Sequence, residues 1–173
     1  TTGLLTLQQG VVAAGLTTVS AGINQTGGLL ITPQFAFFSG GNVSLEKANQ
    51  VGTIAGSATG DVSFTNNQTL NVGTVGILSG ITTGGGNLRL VAGDTTAITG
   101  FGIHVLAGDL NAGAGDITLM GSGFVQDAGT KVLGDGLGIV ALGAGNWTFG
   151  NAGNDVNSLA GFTIGTLTFN DAD

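Results

Sequence analysis

The sequence contains no cysteine and a single proline among its 173 residues. Without cysteine it can form neither a disulfide nor a thiolate metal site, and this composition suits export to an oxidising compartment. Scarcity of proline suits a chain of strands, because proline cannot donate a ladder hydrogen bond. No apolar run approaches the roughly 18 residues that a membrane-spanning helix needs, so we expect no membrane insertion.

Basic residues are equally scarce. Lys47, Arg89 and Lys131 stand against ten acidic residues, and the formal net charge is −7. Nucleic-acid binding requires several clustered cations that displace counterions from phosphates, so we exclude it. The acidic excess is expected to keep an apolar, strand-rich protein in solution.

What the sequence does contain is glycine, 35 residues of it, together with 42% hydrophobic residues. A chain this hydrophobic and so weakly charged must bury its apolar side chains, which predicts order instead of disorder. A short unit recurs: Gly, usually Asn or Asp, and then an apolar–polar–apolar triplet. Gly with Asn or Asp accepts a left-handed or turn conformation, and the triplet is typical of a short strand with one buried face.

These units yield two sets of predicted structural residues. The predicted turn residues are Gly41, Asn42, Gly60, Asp61, Gly86, Asn87, Gly115, Asp116, Gly145, Asn146 and Gly165. The predicted core residues are Val43, Leu45, Val62, Phe64, Leu88, Leu90, Ile117, Leu119, Trp147, Phe149, Leu167 and Phe169.

Helical periodicity is absent, and units near twenty residues apart predict an all-β solenoid. We expect a right-handed parallel β-helix with about 20 residues per coil and roughly eight or nine coils, in one segment over residues 1–173. A β-sandwich is the competing fold, but it would need longer strands and hairpin signals.

A longer repeat lies over the short one. Residues 41–64 match residues 145–169 with one inserted residue, which defines a unit of about 105 residues. We interpret this unit as some five coils and the chain as a fragment of a longer repeat array. Apolar and glycine positions are kept between the copies while outward positions drift, as when Thr53 is replaced by Ser158. That pattern favours a structural role over a catalytic surface.

The segments "GDVSF", "LNVGTVGILSGITTGGGNLRL", "NAGAGDITL", "LGIVALGAGNW" and "NDVNSLAG" resemble the repeats of filamentous-haemagglutinin-type adhesins, giant Gram-negative surface proteins exported by two-partner secretion. The resemblance implies a parallel β-helical stalk on the outer cell surface, exported through an outer-membrane secretion pore. It also implies contact with receptors or glycans of host or neighbouring cells through other regions. The amino-terminal secretion domain of that family is absent from this sequence, and its repeats hold no catalytic residues.

Side chains with catalytic or metal-binding chemistry are few and dispersed. His104 is the only histidine and is interpreted as a spacer. The acids mostly adjoin glycine, as in turns, and we interpret Asp116 as a turn residue in preference to a calcium ligand. Phe35, Phe37 and Phe38 are expected to fill the core. We therefore predict no enzyme activity, no metal and no cofactor.

Three functions remain open. The leading hypothesis is a structural stalk segment of a large secreted adhesin, which projects an adhesive tip. The second is a self-assembling extracellular filament subunit that stacks head to tail through open end coils. The third is a carbohydrate-binding or carbohydrate-cleaving β-helix.

Overall fold

The computed structural model describes residues 3–172, which form strands and turns and no helix. The strands are β1 (Leu4–Leu7), β2 (Val11–Val12), β3 (Leu16–Ser20), β4 (Gly22–Gln25), β5 (Leu30–Ser39), β6 (Val43–Ala58), β7 (Val62–Asn66), β8 (Leu70–Val72), β9 (Thr74–Val75), β10 (Leu78–Ser79), β11 (Ile81–Thr82), β12 (Leu88–Asp94), β13 (Thr99–Gly100), β14 (Gly102–Val105), β15 (Leu110–Asn111), β16 (Ile117–Gly121), β17 (Gly123–Gln126), β18 (Val132–Ala141), β19 (Trp147–Phe149), β20 (Asp155–Phe162) and β21 (Leu167–Phe169).

Parallel pairing stacks these strands into a β-solenoid of eight coils. The first face of the solenoid is defined by one inward column, in which each residue pairs with the next: Leu5, Ile23, Val43, Val62, Leu88, Ile117, Leu137 and Leu159. Alternation along each strand sends the neighbouring residues outward. The predicted all-β parallel solenoid is thus the fold of the described residues.

Two further faces complete each coil. On the second face Leu70, Ile103, Phe124, Trp147 and Leu167 stack in the same way. On the third face β3 pairs with β5, and β5 pairs with β6. Above them β11, β15 and β18 continue the stack. Short strands joined by tight corners therefore enclose one interior.

Coil length is close to twenty residues except where the chain leaves the solenoid. Val43 follows its partner Ile23 by 20 residues, whereas Ile117 follows Leu88 by 29. The extra residues of the fourth coil form an antiparallel hairpin of β9 and β10. Those of the fifth coil form a second excursion, closed by antiparallel pairing of β12 with β13. Insertions thus leave the solenoid sideways and do not disturb the stack.

The core runs through all the coils as one apolar column. Ten of the twelve predicted core residues are at most 1% exposed: Val43, Leu45, Val62, Phe64, Leu88, Leu90, Ile117, Leu119, Trp147 and Phe149. Leu167 differs, with 38% exposure, and Phe169 is half-buried. Both point inward, but they lie in the eighth coil, and within residues 3–172 no further coil covers them.

The phenylalanine cluster also lies largely inside. Phe35 and Phe37 are at most 1% exposed and Phe38 is half-buried. Phe37 occupies the space in which a side chain at Gly56 of the next coil would lie, because a Cβ there would overlap the Phe37 ring. The glycine of one coil and the aromatic ring of its neighbour are therefore complementary.

Candidate functional site: coil corners and buried amide pairs

The predicted turn residues all lie between strands, directly before a strand begins. They are Gly41, Asn42, Gly60, Asp61, Gly86, Asn87, Gly115, Asp116, Gly145, Asn146 and Gly165. These positions are the corners at which the chain enters the first or second face of a new coil.

Glycine is needed at these corners because the neighbouring coil lies too close for a side chain. The backbone is not left-handed there. Glycines with positive φ occur elsewhere in the described chain, and none of the six corner glycines is among them. A Cβ at Gly86 would lie 2.6 Å from the carbonyl carbon of Gly60 and 2.7 Å from the Asp61 nitrogen. A Cβ at Gly41 would lie 2.6 Å from the Ala21 oxygen. The expected left-handed option is therefore wrong for these corners, and the absence of a side chain is what each corner requires.

At four of the corners the Asn or Asp after the glycine links its coil to the next one. Oδ1 of Asn42, Asp61, Asn87 and Asn146 accepts the backbone N–H of the equivalent residue one coil further on. The bonds run from Asp61 N to Asn42 Oδ1 (3.0 Å), from Asn87 N to Asp61 Oδ1 (2.8 Å), from Asp116 N to Asn87 Oδ1 (2.9 Å) and from Thr166 N to Asn146 Oδ1 (3.2 Å). Only an acceptor oxygen is needed, which is why Asn and Asp alternate along this ladder.

A buried pair of carboxamides fastens another corner. Asn49 is fully buried and Gln25 is 7% exposed. Gln25 Nε2 donates to Asn49 Oδ1 at 2.8 Å, and Asn49 Nδ2 donates to Gln25 Oε1 at 3.1 Å. Asn49 Oδ1 also accepts the Leu30 N–H at 2.8 Å, while its Nδ2 donates to the carbonyls of Leu45 and Thr65 at 3.1 Å. One side chain thereby joins the second, third and fourth coils.

The same pair recurs in the upper coils. Gln126 Nε2 donates to Asn154 Oδ1 at 3.1 Å, and Asn154 Nδ2 donates to Gln126 Oε1 at 3.0 Å. Asn154 Oδ1 accepts the Val132 N–H at 2.9 Å, and its Nδ2 donates to the Asn170 carbonyl at 3.1 Å. Asn154 is Asn49's counterpart in the long repeat, and Asn170 is that of Thr65, so the two copies share this hydrogen-bond pattern.

The two copies do not lie on the same face. Val43 belongs to the first-face column, whereas its counterpart Trp147 belongs to the second-face column. From Val43 the chain passes through four coils to Leu137 and then advances one face to reach Trp147. The long repeat therefore spans four and one third coils, somewhat fewer than the approximate five expected from its length. Successive copies turn around the rod.

No protein family, curated protein or solved structure matches this chain.

Gln25, Asn49, Gln126 and Asn154 were not among the predicted structural residues. Their signal was present, because Asn49 and Asn154 begin the two matched stretches "NQVGTIAG" and "NDVNSLAG". A third buried asparagine, Asn66, makes a similar corner bond: its Oδ1 accepts the Val51 N–H at 2.8 Å. Polar residues that repeat with the core positions are therefore themselves structural.

Reactive side chains do not converge in the described part of the chain. His104 Nε2 lies 2.7 Å from Asp127 Oδ1, with side chains 33% and 50% exposed. An exposed pair of this kind contributes little to stability. Residues 3–172 hold no group of three His, Cys, Asp or Glu residues placed to bind a metal ion. The same residues include no helix long and apolar enough to cross a membrane.

Proposed function

We propose that this chain is a structural stalk segment of a large secreted surface adhesin. The observation that carries the proposal is the single apolar core through eight parallel-stacked coils, fastened at the corners by side-chain bonds that run along the rod axis. Each coil adds about 4.8 Å, so eight coils give a rod roughly 35–40 Å long. Such a rod holds an adhesive region at a fixed distance from the cell.

The surface of the solenoid supports a spacer role more than a catalytic one. The acidic excess of the sequence opposes unspecific clumping, and within residues 3–172 no three acidic or histidine residues are grouped as a metal site would need. Each coil buries its faces only against its neighbours, so the length can be adjusted by adding units. In this proposal the rod lies outside a Gram-negative cell and left it through an outer-membrane pore. Coils that form one after another suit such export because they need no distant contacts and no disulfides.

Head-to-tail stacking is the second candidate, and it would bring the first coil of one molecule against the eighth coil of another. Inward-facing Leu5 and Leu7 are partly exposed in the first coil, and Leu167 is 38% exposed in the eighth. Strand edges in both coils could pair with another molecule. A filament of this kind would lengthen with protein concentration, and Leu167→Asp would block it by placing a carboxylate in the contact.

The stalk proposal is tested by the distance between the two ends. Because the chain lacks cysteine, Thr6→Cys and Thr168→Cys introduce unique sites for spin labels. One or two further copies of residues 41–144 are then inserted after Ala144, and the label separation is measured by pulsed electron paramagnetic resonance. A rod predicts a constant increase of about 21 Å per inserted unit, from four and one third coils at 4.8 Å each.

Two results would contradict the stalk. A separation that grows with the square root of the number of residues would indicate a flexible chain. Glycan binding by this segment, lost when outward residues of one face are changed, would favour the carbohydrate-binding alternative.

A further inference from the structure

A groove of about 480 Å³ crosses the outside of the first coils. Its apolar wall is formed by Val12, Ile31 and Pro33, and Gln50 and Gln68 lie beside them. Val12 pairs with Ile31 and Ile31 with Gln50, so the groove follows an outward column of the second face. Val12 is 78% exposed.

A hairpin of the same chain presents an apolar tip. Gly76 has φ of 62° and opens the two-residue turn between β9 and β10, as in turns that place glycine first. The second turn residue, Ile77, is 92% exposed. Polar residues suit such a position better, so local folding does not explain an isoleucine there.

The base of the hairpin is held firmly. Val75 is buried against Ala36 and Ala55 on the outside of the third face. The hydroxyls of Thr74 and Ser79 lie 2.9 Å apart across the two strands. Ile77 is therefore carried on a preorganised support, and ordering it on binding costs little conformational entropy.

Charge indicates what fits the groove. The molecule carries a net charge of −7, yet residues 1–45 contain no charged residue, nor do residues 66–82, which include the hairpin. None of the residues that line the groove is charged, and none of residues 74–79 of the hairpin is, so a contact between the two places no carboxylate within it. An apolar tip and an apolar groove of the same chain are also matched in character, as in contacts that form between identical subunits.

We propose that the Ile77 tip of one molecule binds in the Val12–Ile31–Pro33 groove of a second copy, side to side. This lateral contact goes beyond the stalk function and does not require it. Raised salt should strengthen it, because salt screens the repulsion between the acidic coils.

The test measures association by sedimentation velocity over a wide range of concentration. Ile77→Asn removes the tip and keeps a residue suited to the turn, and Val12→Glu places a charge in the groove. Each variant should weaken association by at least about tenfold. Ile98→Asn is the matched control, since Ile98 is 66% exposed in the other excursion with φ of 53°, where Asn is well tolerated. It should associate like the unaltered chain.

Mixing the two variants gives the decisive result. A mixture of Ile77→Asn and Val12→Glu contains one intact tip and one intact groove, so mixed complexes should form at concentrations at which neither variant associates alone. Equal far-UV circular dichroism and melting curves establish that both fold. A chain that stays monomeric throughout, an equal loss with Ile98→Asn, or a mixture that fails to associate would overturn the proposal. Head-to-tail stacking is distinguished because Ile77→Asn would leave it intact.

Discussion

At single residues, the demand for glycine comes from neighbouring coils. Gly86 has no positive φ, but its Cα faces the backbone of Gly60 and Asp61 one coil earlier. Gly102, in contrast, occupies a strand position where a Cβ would meet no atom within 4 Å. Two glycines that look alike in the sequence therefore differ in what their substitution would cost.

Gly86→Ala should lower the free energy of unfolding by about 1–3 kcal/mol, because the added methyl group forces two coils apart. Gly102→Ala should leave stability unchanged or raise it by up to about 1 kcal/mol, since alanine restricts the unfolded chain and fits the strand. Urea unfolding followed by circular dichroism measures both. Equal effects of the two substitutions would refute the close-contact explanation.

The alternation of apolar and polar residues is the pattern from which the core residues could be predicted. The apolar–polar–apolar triplets correctly placed Val62 and Phe64 inside, because alternation in a strand has only two outcomes. The reason for glycine at Gly86 could not be predicted, since it depends on which backbone lies beneath it. Asn49 was missed because asparagine in a chain with many turns indicates a loop, and its burial arises only when Gln25 is stacked against it.

At the scale of elements, side-chain hydrogen bonds at the corners join one coil to the next. Asn49 contacts three successive coils through Gln25, Leu45 and Thr65. The hairpin of β9 and β10 was not predicted either, although "VGIL" has glycine at the first turn position. Its strands have two residues each, too few for alternation to be recognised.

Asn49→Leu should lower the free energy of unfolding by at least about 3 kcal/mol. The substitution removes the Asn49 partner of the buried Leu30 N–H, Leu45 carbonyl and Gln25 carboxamide, at about 1–3 kcal/mol for each group left unpaired. The same substitution at Asn154 should have an effect of similar size. Asn67→Leu, at an exposed turn position, is the control and should change stability by no more than about 0.5 kcal/mol.

Thermal and urea unfolding measure this series. If Asn49→Leu behaved like Asn67→Leu, the amide pair would have no role in holding the coils together. An apolar side chain that fits the corner would then be equivalent to the hydrogen bonds.

At the scale of the whole molecule, the solenoid is a stack in which each coil contacts only its neighbours. The long repeat crosses from the first face to the second, so any surface feature repeated with it winds around the rod and does not form a straight line. Because the coils stack one on another, the solenoid should tolerate the deletion or insertion of a complete coil, whatever its number of residues.

Removal of residues 88–116 should therefore yield a shorter rod that still folds. These 29 residues make up the whole fifth coil. After the deletion Val62 pairs with Ile117 in the first-face column, and both amide pairs are retained. The melting temperature should fall by several degrees with a cooperative transition, and the rod should shorten by about 4.8 Å.

Removal of residues 88–101 alone is the matched comparison. Although fewer residues are lost, second-face strands would then follow the first-face corner and every later column would be displaced. That variant should lose cooperative unfolding and bind hydrophobic dyes, as measured by calorimetry and dye fluorescence. If the shorter deletion were the better tolerated of the two, stability would follow the number of residues lost and not the register of the coils.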